Sequence, residues 1–112
     1  MSLFLEFSQR KIPIDDEGYL RNLQDWDAAV AEELARLEEI QLGPAHWEVL
    51  NLMRAFYRRH QMSPATRALI NLVKRDLGQD KGRSVYLMRL FRGSPAKTAS
   101  RIAGLPKPAN CL

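Results

Sequence analysis

The chain has 112 residues, 46% of them hydrophobic and 27% charged, with a formal charge of +4 and one cysteine. That length suits one domain with a core able to fold without staples, and a lone cysteine excludes an intrachain disulfide. No apolar run is long enough to span a membrane and no secretory segment stands out, so a soluble, cytoplasmic protein with no membrane partner is expected.

In chain order, LFLEFSQRKIPIDDEGYL holds two apolar-rich stretches, 3–7 and 11–14, around Ser8, Gln9 and Arg10. This predicts a small hairpin, with Pro13 on an edge strand because proline cannot donate to a ladder. The acidic DDEG run then turns the chain. Asp25 is the expected cap of a first helix reaching about Glu39, since Trp26, Val30, Leu34 and Leu37 recur at three- and four-residue intervals. Gly43 and Pro44 restart the chain into a second helix through Trp47, Leu50, Met53, Phe56 and Tyr57, expected at the centre of the core. Ser63 and Pro64 repeat the cap-plus-proline signal for a third helix through Leu69, Leu72 and Val73, ending at Gly78.

A fourth, shorter helix, apolar on most sides, is expected from near Ser84 until Gly93 interrupts it. Ser94 and Pro95 cap a fifth, which Gly104 terminates. Trp26, Met53, Phe56 and Phe91 read as helical core packing, and His46 and His60 as surface or packing residues. The fold class is mainly α: one compact, orthogonally packed domain over residues 1–112, with about five helices, an N-terminal β-hairpin and a flexible C-terminal arm over 104–112.

The arm reads AGLPKPANCL and carries Cys111 one residue from the end. Pro106 and Pro108 fix φ and lack an N–H, favouring an extended path that reaches about 20 Å when counted from Gly104. A thiol presented in this way, by Gly104, Pro106 and Pro108, can enter a partner's active site while the globular part stays outside. Only Leu112 follows Cys111, which rules out a prenylation box. Charge is unevenly placed: residues 1–48 hold 11 acids against 4 bases, and residues 49–112 hold 2 against 13. Such a basic half can attract an acidic partner protein or a nucleic-acid backbone, or can simply be the solvated face of a basic protein.

A cysteine acts as its thiolate, favoured here by Arg101 and Lys107 and disfavoured by the terminal carboxylate. No general base adjoins Cys111 in sequence, which leaves hydrolytic catalysis poorly supported. No metal-ligand spacing, glycine-rich phosphate loop or GxSxG elbow is present, so neither metal nor cofactor is expected. A carrier needs less machinery: its thiol takes a group, holds it and surrenders it, and sulfane sulfur, held as a persulfide, is one such group. Tyr86, Arg89 and Trp47 are candidates for an arm-docking pocket, with core packing the competing role for Trp47.

The order and spacing of DDEGYL, DW at Asp25 and Trp26, HW at His46 and Trp47, SP then R at Ser63, Pro64 and Arg67, YL at Tyr86 and Leu87, LF at Leu90 and Phe91, and the tail resemble the DsrC/TusE family of small sulfur-carrier proteins. The resemblance implies a helical fold with an N-terminal hairpin and a mobile arm, and makes Cys111 the persulfide-carrying residue. Family members that serve dissimilatory sulfite reductase carry a second arm cysteine eleven positions earlier, where this chain has Ser100. The resemblance is therefore closer to the TusE branch, which relays sulfur from a TusBCD-type donor to an MnmA-type thiouridylase with transfer RNA, for 2-thiolation of the wobble uridine. It implies a sulfurtransferase acting in a relay rather than alone.

Two other functions stay open at this level. Short helices separated by Gly, Pro and Ser turns can form a helix-turn-helix that binds DNA through Arg67, Lys74 and Arg75 on the third helix, although that leaves Cys111 unexplained. An accessory subunit of a sulfite-reductase-type system would use the arm as a plug, a role whose two-cysteine version Ser100 argues against.

Overall fold

Strand β1 (Leu3–Phe7) pairs antiparallel with β2 (Arg10–Ile14), Leu5 facing Ile12 and Phe4 facing Pro13, in the computed structural model, which describes residues 2–109. Ser8 and Gln9 turn the hairpin at φ of 47° and 62°, the double left-handed conformation whose twist matches that of the flanking strands. Leu5 and Ile12 are buried on one face, and Pro13 lies on an edge as expected, each strand of a two-stranded sheet being one. In the DDEG turn the Asp15 carboxylate accepts the backbone N–H groups of Glu17 and Tyr19.

Five helices follow: α1 (Ala28–Leu37), α2 (Pro44–His60), α3 (Thr66–Leu77), α4 (Ser84–Leu90) and α5 (Pro95–Ile102). The cap of α1 is Asp27, not Asp25; its carboxylate accepts the Val30 N–H at 2.9 Å and is held below its ordinary pKa chiefly by that bond. Asp25 closes a short 3-10 turn (Leu23–Asp25), which places Trp26 between the two acids. Pro44 opens α2 as expected, and His46 Nδ1 accepts the Gly43 N–H at 3.1 Å. That bond fixes the tautomer, so the Nε2–H donates to the Leu90 carbonyl at 3.1 Å and ties α2 to α4.

Three further expectations change. Ser63 does not cap α3, whose first flanking residue is Ala65, because its hydroxyl is engaged elsewhere in the chain. Helix α4 is apolar on one side only: Leu87 is buried, while Val85 and Met88 are exposed. The hub of the core is α5 rather than α2. It packs against each of the other four helices and buries Pro95, Ala96, Thr98, Ala99, Ser100 and Ile102. Small side chains let its backbone approach its neighbours closely. Met53 and Phe91 are fully buried and Trp26 packs against the core; Phe56 lies tilted against His60 with ring centroids 4.4 Å apart, outside the buried cluster.

Candidate functional site

Everything that presents the arm is built around the end of α5. Gly104 takes φ of 71°, and its N–H reaches the Arg101 carbonyl while that of Leu105 reaches Ser100, the paired closure of a Schellman motif. Two more carbonyls at this end go to side chains from other elements. The Trp26 indole N–H donates to Ile102 at 2.9 Å, and Arg54 Nη1 donates to Ala103 at 2.6 Å. The Arg54 guanidinium lies 3.7 Å from the Trp26 ring centroid, and Trp47 packs edge-on to Trp26 at 6.4 Å. Burial lowers the pKa of Arg54, with the nearby charge of Arg58 acting in the same direction. A Cβ added at Gly104 would lie 2.2 Å from Trp26 Cδ1, so the indole covers a position that only glycine fits.

The chain beyond Gly104 first lies on the domain. Leu105 is 2% exposed, Ser63 Oγ donates to the Pro106 carbonyl at 2.5 Å, Lys107 pairs with Glu17 at 2.9 Å, and Pro108 is buried. The reach counted from Gly104 is therefore counted from Pro108. The Arg101 guanidinium is engaged within the domain: it pairs with Glu38 and lies 5.2 Å from the Tyr19 ring centroid. Tyr19 titrates above its ordinary 10.0, chiefly because it is buried, with Arg101 opposing that rise. Ser100 is fully buried and its hydroxyl has no partner among the described residues. Cys111 lies outside the described residues.

A family profile described as "DsrC like protein" matches residues 6–112. The chain belongs to the DsrC-like family. It is similar to the sulfurtransferase TusE of Sodalis glossinidius, 50% identical over 96% of this chain and 100% of that protein, and to the TusE of Yersinia pestis, 49% identical over 96% and 99%. Its fold is similar to the solution structure of Allochromatium vinosum DsrC, with a TM-score of 0.89, 42% identity and full coverage of both chains. It is also similar to the oxidised γ-subunit of dissimilatory sulfite reductase, DsrC, from Archaeoglobus fulgidus, with a TM-score of 0.84, 34% identity and coverage of 98% and 100%.

In this DsrC-like chain, Gly104, Pro106 and Lys107 come together at the arm's root, and Trp47 joins them through Trp26. Tyr86, half-buried against the core, and Arg89, exposed on α4, form no hydrogen bond or ion pair with residues 104–109. Sequence reasoning missed Arg54, Ser63 and Glu17 as parts of this root and placed Trp26 only in the core. The one local signal was Arg54, a cation adjoining Met53 and four residues from Leu50 on an otherwise apolar stripe. Among the described residues no cluster of metal-ligating side chains forms, and no helix is long and apolar enough to cross a membrane.

Proposed function

We propose that this protein is a cytoplasmic sulfur carrier in which Cys111 accepts sulfane sulfur as a persulfide and passes it on, in the relay leading to 2-thiolation of transfer-RNA wobble uridine. The observation that carries the reading is the near-full-length identity with TusE sulfurtransferases in a chain whose single cysteine is penultimate. The Cys111 thiolate attacks the outer sulfur of a donor persulfide. A new S–S bond forms at Cys111, the donor's S–S bond breaks, and the donor leaves as a thiolate with the bonding pair. The proton stays on the transferred sulfur, and no net oxidant or reductant is needed. Repeating the exchange with an acceptor thiolate returns Cys111 to its thiolate form. A TusBCD-type complex is the proposed donor, and an MnmA-type thiouridylase with transfer RNA the proposed acceptor.

On this reading Gly104, Pro106 and Pro108 present the thiol, and no cofactor takes part. Lys107 and Arg101 contribute positive charge near the arm, already shared with Glu17 and Glu38, and Tyr86 and Arg89 serve as docking contacts. Intact-protein mass spectrometry after incubation with a cysteine desulfurase, its relay proteins and cysteine tests the proposal. A gain of about 32 Da per sulfur is expected, removed by reductant and absent from Cys111→Ser. Loading retained in that variant, or no loading of the wild type by donors competent on a control acceptor, sinks it.

A further inference from the structure

Residues 54–63 and 103–106 run side by side, since Arg54 holds the Ala103 carbonyl and Ser63 holds that of Pro106. Between these two contacts along α2 lies Arg58, one turn beyond Arg54 and close enough to affect its ionisation. Arg58 is exposed and forms no ion pair with a described residue. Met62, next to Ser63, is 59% exposed, the most exposed large hydrophobic side chain among the described residues. The packing of the domain accounts for neither side chain.

The length of chain beyond the last anchor gives both a use. Cys111 lies only three positions beyond Pro108, and three extended residues span at most about 11 Å. While the root stays latched, a partner's reacting atom can meet Cys111 only if the partner presses against the rim around that root. We propose that Arg58 and Met62 form the docking face for the sulfur donor, and that the donor meets them with an acidic protein surface around an apolar pocket. This deepens the carrier reading and rests on it.

An exposed cation and an exposed methionine flanking the same root fit a protein surface better than a phosphate backbone, which has no apolar pocket to offer. Arginine and methionine are both enriched at protein interfaces, and methionine's flexible thioether adapts to more than one surface. That adaptability suits a carrier, which must dock successively on a donor and an acceptor. Glu17 and Lys107 at the root are already matched to each other, whereas Arg58 is exposed with no ion pair among the described residues.

The test is the second-order rate of sulfur transfer from persulfidated TusBCD-type donor to wild type, Arg58→Glu, Arg58→Lys and Met62→Ser. Lys11→Glu, on the hairpin, controls for net charge, and loading by inorganic polysulfide provides a reaction that needs no docking. Arg58→Glu is expected to slow donor transfer on the order of tenfold at low ionic strength, with the gap narrowing as salt is added. Met62→Ser should slow it a few-fold, while Arg58→Lys, Lys11→Glu and all polysulfide loading stay near wild type. Failure of wild-type Cys111 to load from either source overturns the carrier reading itself. Wild-type donor rates in Arg58→Glu and Met62→Ser overturn the docking face alone, including the case where Arg58→Glu instead loses retention of transfer RNA, which assigns that cation to a phosphate backbone.

Discussion

Ser100 sits at the hub helix with no exposed surface and a hydroxyl that pairs with nothing among the described residues. Burying an unsatisfied hydroxyl costs about 1–3 kcal/mol, and serine is a poorer helix former than alanine. Ser100→Ala removes both penalties at the loss of one small atom. It is expected to raise the unfolding free energy by about 1 kcal/mol in urea titration, with an unchanged m-value. A loss of stability would mean that the hydroxyl has a partner. Ser63 is the contrast: a serine of similar burial whose hydroxyl latches Pro106, 43 positions away. Local sequence cannot tell these two serines apart. Ser63 followed by Pro64 has the form of a helix cap, and the distant carbonyl that claims its hydroxyl is set by tertiary packing alone.

Helices α1 and α5 end in the same backbone device on different residues. At α1 the left-handed position is Glu39 at φ of 59°, with Glu39 N–H bonded to Arg36 and Ile40 N–H to Ala35; at α5 it is Gly104. Glu39 is exposed, whereas Gly104 lies beneath the Trp26 ring. Gly104→Ala is therefore expected to combine left-handed strain with a clash, costing about 2–4 kcal/mol and lowering the melting temperature accordingly. Glu39→Gly should leave stability within about 1 kcal/mol of wild type, on the stabilising side. Equal effects at the two sites in thermal denaturation would show that the ring above Gly104 does not matter. Apolar spacing after an acidic cap made α1 legible, and the Gly-Pro, Ser-Pro and terminal glycine signals did the same for the later helices to within a few residues, because backbone punctuation acts locally. The hub role of α5 was not legible: Ala96, Ala99 and Ser100 carry little hydrophobic signal, and their value lies in the close approach they allow.

The acidic first part and basic second part of the chain are folded against each other. Lys81 pairs with Glu48, Arg101 with Glu38 and Lys107 with Glu17, each ion pair joining the two parts. The charge imbalance was plain from the sequence, but its partial neutralisation was not, since the paired residues lie 33, 63 and 90 positions apart. Lys81–Glu48 and Lys107–Glu17 are well exposed, and pairs of that kind contribute at most about 1 kcal/mol. Arg101–Glu38 is the most sheltered of the three, and its guanidinium also lies over Tyr19. Arg101→Met is expected to cost about 1–2 kcal/mol, more than Lys107→Ala, because it leaves Glu38 without its charged partner. It also has a signature at high pH. Burial favours the neutral Tyr19 phenol, so the folded chain keeps that proton above the ordinary value of 10.0, at which the unfolded chain releases it. Stability therefore falls as pH rises through that value, until the folded phenol ionises too. Arg101 moderates this by favouring the phenolate, so in Arg101→Met the phenol should titrate higher and the alkaline loss of stability should run further. Phenolate absorbance titration, read against Tyr19→Phe, together with urea unfolding between about pH 8 and pH 11, tests both effects. An unchanged Tyr19 titration would mean that the arginine does not act on the ring, and its role would reduce to the ion pair that joins α5 to the end of α1.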